Sequence, residues 1–157
     1  MKSAVLGIGS PHGDDQIAWL LVDKLQQQYP SSEFYWEKVS APVTSLVNQI
    51  SAYDRILVID AAEMGMAPGD FVFMQDTSSS LEQEQTTVSS HAMGLQESWQ
   101  MVKALGMKLP EIDLFLVQLE QCEPMAPISE QLKSKIPDML ETLEKIVSVH
   151  KTEVFSV

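Results

Sequence analysis

The chain has 157 residues, 45% of them apolar, and Lys+Arg 10 against Asp+Glu 22 give a formal charge of −12. That is enough apolar sequence for one continuous core and too much negative charge for nucleic acid or an anionic membrane to be the main partner, since both would be repelled. No apolar run approaches the roughly 18–20 residues of a membrane-spanning helix, the first residues lead directly into a strand pattern without a signal peptide's basic and apolar blocks, and the one cysteine, Cys122, excludes an intramolecular disulfide and any cysteine-rich metal site. The expectation is one domain over residues 1–157, cytoplasmic and not inserted in a membrane.

Taken in chain order, Ala4-Val5-Leu6-Gly7-Ile8-Gly9 predicts a buried strand over about 3–9, and Ser10-Pro11-His12-Gly13-Asp14-Asp15 follows before Ile17, Leu20, Leu21, Lys24 and Leu25 set up a helical spacing. Two adjacent carboxylates are more than a strand-to-helix turn requires. Asp14 is placed to cap the helix starting near Gln16, its charge complementing the positive end of the helix dipole, which leaves Asp15 as the spare acid. The Gly7-x-Gly9 pair resembles the start of a dinucleotide-binding turn, but the third glycine is displaced and two acids stand where phosphates would lie.

Further strands are predicted at 34–39, 55–60, 70–75 and 112–119, and further helices around 44–52, 93–105 and 129–149, with Pro137 expected to break or kink the last. Strands of near-continuous apolar character alternating with helices predict an α/β fold: an α/β/α sandwich around a mostly parallel, twisted, five-stranded sheet. Residues 61–69 are too few for a crossover helix, so the fourth strand should run antiparallel. The polar stretch Asp76 to Ser90 is then long enough to return the chain to the carboxyl edge of the sheet ahead of a helix after His91.

Ligand crevices in open α/β sheets lie outside the carboxyl ends of the strands. The pattern places Asp15, Asp60 and His91 there. Asp60 stands out because a charge ends the buried run Ile56-Leu57-Val58-Ile59. Each residue alone has a simpler reading, as a helix cap, a turn aspartate or a capping histidine. Together, two carboxylates and an imidazole form an O,O,N set suited to a borderline divalent metal, with a coordination position left open, and these ligand types do not select nickel over zinc. The His-Glu-x-x-His signature of zinc peptidases, the Gly-x-Ser-x-Gly elbow and a paired Cys/His nucleophile are absent. Methionines around 64–74 and 93–107 suit either core packing or an adaptable partner surface.

Gly7-Ile8-Gly9-Ser10 followed by Asp14-Asp15, then Ile59-Asp60-Ala61, His91-x-x-Gly94-Leu95, and Leu116-Val117 ahead of Glu123-Pro124 resemble the hydrogenase maturation endopeptidases over nearly the whole chain. The resemblance implies that Asp15, Asp60 and His91 are the metal-contacting and catalytic positions. It implies an endopeptidase that recognises the nickel-loaded precursor of a [NiFe] hydrogenase large subunit and removes its C-terminal tail, the nickel arriving with the substrate and zinc or another divalent ion acting as surrogate. A metal there would polarise the scissile carbonyl or acidify a bound water while Asp15 or Asp60 takes a proton. Ser10 stands where the family usually has Asn, and His12 adds a ligand or substrate contact, so both are candidate substrate-binding residues. The family's Gly-rich turn after the second strand is replaced by Val39-Ser40-Ala41-Pro42-Val43-Thr44, in a region that shapes the substrate groove. The rival readings are a non-proteolytic, metal-dependent binding or chaperone protein for a nickel-bearing partner, and a small amidase-like hydrolase using the same crevice.

Overall fold

Apolar side chains on both faces of a strand require a layer on each side of it, and the sheet is built accordingly. In the computed structural model, which describes residues 2–29, 34–40, 47–75 and 90–155, β1 (Ser3–Gly9) lies between β2 (Phe34–Ser40) and β3 (Arg55–Ala62), parallel to both. β5 (Glu111–Gln118) pairs parallel with β3, and β4 (Phe71–Met74) closes that side, giving the order β2-β1-β3-β5-β4. Every residue of β1 is buried, as is every residue of β3 and β5 beyond the first. The expected antiparallel fourth strand is present, in register from Phe71 opposite Val117 to Met74 opposite Leu114. The path expected for Asp76 to Ser90 falls on residues 76–89, outside those described, and residues 41–44 of the replaced turn lie outside them too.

Among the described residues, four helices cover the sheet: α1 (Ile17–Gln28), α2 (Val47–Ala52), α3 (Ser90–Ala104) and α4 (Glu130–Phe155). Side chains alternate between the two faces of each strand. Val5, Leu57, Ile59 and Phe115 pack with Ile17, Leu21 and Leu25 of α1 and Leu132, Met139 and Leu143 of α4. Leu6, Ile8, Val58 and Leu114 pack with Ile50 of α2 and Leu95, Trp99 and Val102 of α3. Pro137 does not break the last helix, contrary to expectation. It is exposed, so the Lys133 carbonyl left without its N–H partner lies on the solvent side, while Leu132 and Met139 on either side of it are anchored in the core.

The glycine pair in β1 serves packing. A Cβ on Gly7 would lie 2.7 Å from Val22 Cγ2 and 2.9 Å from the Ala18 carbonyl oxygen, and one on Gly9 would lie 2.5 Å from the Asp15 carbonyl oxygen. The bare backbone therefore lets α1 lie close against β1. Because α1 leads to β2 on one side of β1 and the chain then passes to β3 on the other side, the strand order reverses between β1 and β3. In open α/β sheets the carboxyl ends of two such strands are where a ligand crevice lies. Cationic groups gather at the opposite edge. Arg55, the only arginine, lies 3.3 Å from the fully buried Asp113 carboxylate, and Asp54 accepts from the Lys2 amide at 2.7 Å and pairs with Lys108.

Gly7→Ala should lower unfolding free energy by about 1–3 kcal/mol, because the added methyl meets a backbone carbonyl as well as a side chain. Gly65→Ala, at φ 71° with nothing within 4 Å of its would-be Cβ, should cost only about 1 kcal/mol of backbone strain. Urea denaturation of the two variants side by side checks the difference.

Candidate active site

The turn leaving β1 contains a short 3-10 segment, Gly13–Gln16, stepping directly into α1. Asp14 within it is fully buried. Its Oδ2 accepts the backbone N–H groups of Glu120 (2.7 Å) and Gln121 (3.1 Å) and the Ser129 hydroxyl (3.0 Å), and its Oδ1 accepts the Ser129 N–H at 2.7 Å. Asp14 therefore does not cap its own helix, as the local pattern suggested. Its charge is stabilised by donors from the loop after β5, just ahead of the N-terminus of α4, where a negative charge is also favoured.

More bonds join the same two segments. Asp14 N–H donates to the Gln121 carbonyl (2.8 Å), Gly13 N–H to the Ala126 carbonyl (3.0 Å), Gln16 Nε2 to the Ala126 carbonyl (2.8 Å), and Met125 N–H to His12 Nδ1 (3.0 Å). Gly13 has φ 54°, and a Cβ there would lie 2.4 Å from Gln121 Oε1 and 2.9 Å from Cys122 Cα, so only glycine permits this approach. Since β3 lies between β5 and β1, loop 119–129 must cross the carboxyl end of β3 to reach the turn.

Asp60, two residues before the end of that strand at Ala62, is 2% exposed, and its Oδ1 accepts the Ala61 N–H at 2.8 Å. Asp15 is half-buried, its N–H bonded to the His12 carbonyl at 3.1 Å. The Cys122 thiol reports on both. Burial pushes its pKa up, the charge of Asp15 adds to that, a hydrogen bond from the Asp15 backbone opposes it, and Asp14 and Asp60 raise it further. β1 and β3 are adjacent and parallel, with Gly7 opposite Ile59, so Asp15 and Asp60 both follow from the carboxyl ends of neighbouring strands, and both charges act on the one sulfur. His91 stands in the first turn of α3, and its side chain lies outside those described. Among the described residues no three His, Cys, Asp or Glu groups are disposed to hold a metal ion.

Ser10 and His12 are committed to the turn itself: Ser10 Oγ accepts the His12 N–H at 3.4 Å, and His12 uses Nδ1 on Met125. At the end of β5, the buried Gln118 accepts the Met64 and Met66 N–H groups (2.7 and 3.2 Å) and donates to Glu63 Oε2 at 3.0 Å, shaping the turn that follows Asp60. The sequence pattern assigned Gln118, Cys122 and Gly13 no part in the site. A polar residue closing a buried apolar run is the signal that singled out Asp60, and it applies equally to Gln118.

This doubly wound α/β sandwich sets Asp15, after β1, and Asp60, near the end of β3, on the carboxyl edge of two adjacent parallel strands, where open α/β sheets bind ligands. The model of the hydrogenase maturation protease family matches residues 20–146, and the chain belongs to that family. The matched span begins after the Asp14-Asp15 turn. The structure is similar to the hydrogenase maturating endopeptidase HybD from E. coli, with a TM-score of 0.77 and 21% identity over 91% of this chain and 90% of that one. It is similar also to the [NiFe] hydrogenase maturation protease HycI from Thermococcus kodakarensis KOD1, with a TM-score of 0.73 and 22% identity over 94% and 92% of the two chains. At these identities the likeness bears on the fold. No curated protein matches the chain.

Asp14→Ala strips the acceptor from three backbone amides and a hydroxyl, and should lower stability by roughly 2–4 kcal/mol in chemical denaturation. The raised thiol pKa of Cys122 makes it a poor nucleophile near neutral pH. Alkylation followed by mass spectrometry should therefore be slower than for an unperturbed thiol, and Asp15→Asn should accelerate it.

Proposed function

We propose that this protease removes the C-terminal tail from the nickel-loaded precursor of a [NiFe] hydrogenase large subunit. The supporting observation is that Asp15 and Asp60 share one crevice edge in a chain of the hydrogenase maturation protease family. Nickel enters this reading as part of the substrate. Asp15, Asp60 and His91 would receive it as an O,O,N set, with zinc or another divalent ion as a surrogate. The residues present suit a cation: two carboxylates belong to the carboxyl edge, while Arg55 and Lys108 are paired with acids at the opposite edge of the sheet. Burial and the Ala61 amide fix Asp60 in orientation. Asp15 is the more accessible acid, so it is assigned the proton from the attacking water and its return to the leaving amine as the peptide C–N bond breaks.

The test compares wild type, Asp60→Asn and His91→Ala on precursor with and without nickel. Wild type should release a short C-terminal peptide from the loaded precursor only. Asparagine keeps the oxygen that accepts the Ala61 N–H but removes the charge, so Asp60→Asn should lose activity by about 100-fold or more at unchanged thermal stability, as should His91→Ala. Undiminished cleavage by both variants would refute the assigned site. A wild type that holds the loaded precursor without shortening it would instead favour the binding-protein reading.

A further inference from the structure

Met125 combines two features that folding alone disfavours. It is the non-glycine residue with a left-handed backbone among those described, at φ 57°, and its side chain is 73% exposed. A non-glycine residue in that conformation persists only where its surroundings over-determine it, and such residues gather at ligand clamps. Here the surroundings do so. The Met125 N–H is held by His12 Nδ1, the Ala126 carbonyl on one side takes bonds from Gly13 N–H and Gln16 Nε2, and the Ala126 N–H reaches back to the Glu123 carbonyl at 3.1 Å. Gln121 adds two more, accepting the Glu123 N–H at 2.7 Å and donating to the Pro127 carbonyl at 3.2 Å. The loop is therefore a built support with an apolar side chain at its tip.

It lies on the loop bonded to the turn that carries Asp15. His12, which holds Met125, also accepts the Asp15 N–H through its carbonyl, and Cys122, three residues before Met125, lies within reach of the charges of Asp15 and Asp60. We propose that Met125 is a specificity-determining residue that seats an apolar side chain of the substrate peptide beside the bond to be cut, and that His12 is a positioning residue for it. This rests on the endopeptidase reading above. An unbranched thioether suits the role because it adapts to an apolar partner of varied shape, while the fixed backbone removes much of the ordering cost of binding.

The test uses Met125→Gly and Met125→Leu with the nickel-loaded precursor, measuring Kd by calorimetry as well as KM and kcat for tail release. Glycine removes the side chain and suits the left-handed backbone, so its melting temperature should equal or exceed that of wild type. Loss of an apolar contact is expected to raise KM and Kd by about 10-fold or more with kcat little changed, and leucine should restore most of it. Wild-type Kd and KM in Met125→Gly would overturn the proposal. If wild type binds the precursor but does not cut it, the endopeptidase reading fails while the Kd comparison still decides the role of Met125. If wild type does not bind it, both fall.

Discussion

The carboxylate of Asp14 has no solvent contact, yet it accepts three backbone N–H groups and a hydroxyl, all from residues more than a hundred positions further along the chain. Burying a charge is costly unless donors replace its water, and here they do. The consequence extends past Asp14. With that bond set in place the loop after β5 must cross β3 and lie against the turn after β1, so the positions of Asp15, Asp60 and the loop become one problem with one solution. Adjacent acids have thereby divided their tasks: Asp14 holds the edge together, and Asp15, one residue on, is only half-buried.

The sheet was legible because its central strands are buried on both faces and so read as unbroken apolar runs. β4 was legible as antiparallel because nine residues cannot carry a crossover helix. Asp15 and Asp60 were legible by position, as charges where apolar strands end. What local reading missed depends on distant partners. Asp14 followed by a helix looks like a cap, and nothing near it in sequence reveals that its donors lie at 120, 121 and 129. The left-handed backbone of Gly13 serves a contact with Gln121 and Cys122 that spacing along the chain could not disclose. Pro137 reads as a breaker only if helix hydrogen bonding decides the matter, whereas the apolar stripe on either side of it holds α4 to the core.

Beyond the support lies the chemistry. Two carboxylates near one another in a partly buried crevice repel each other, and each is stabilised by any cation brought between them. A substrate that brought a cation between them would be recognised through the same electrostatics. The strong net negative charge of the chain works in the same direction over longer range.

Cys122 sets a useful contrast. A cysteine at a protease crevice invites a thiolate mechanism, and such nucleophiles are prepared by a cationic partner or a helix N-terminus that lowers the thiol pKa. Here burial and the neighbouring aspartates act in the opposite sense and keep the proton on sulfur, outweighing the single backbone hydrogen bond from Asp15. The environment that disfavours a thiolate is the one that favours a cation. The field at this edge therefore works against the thiolate that a cysteine-based reaction would need.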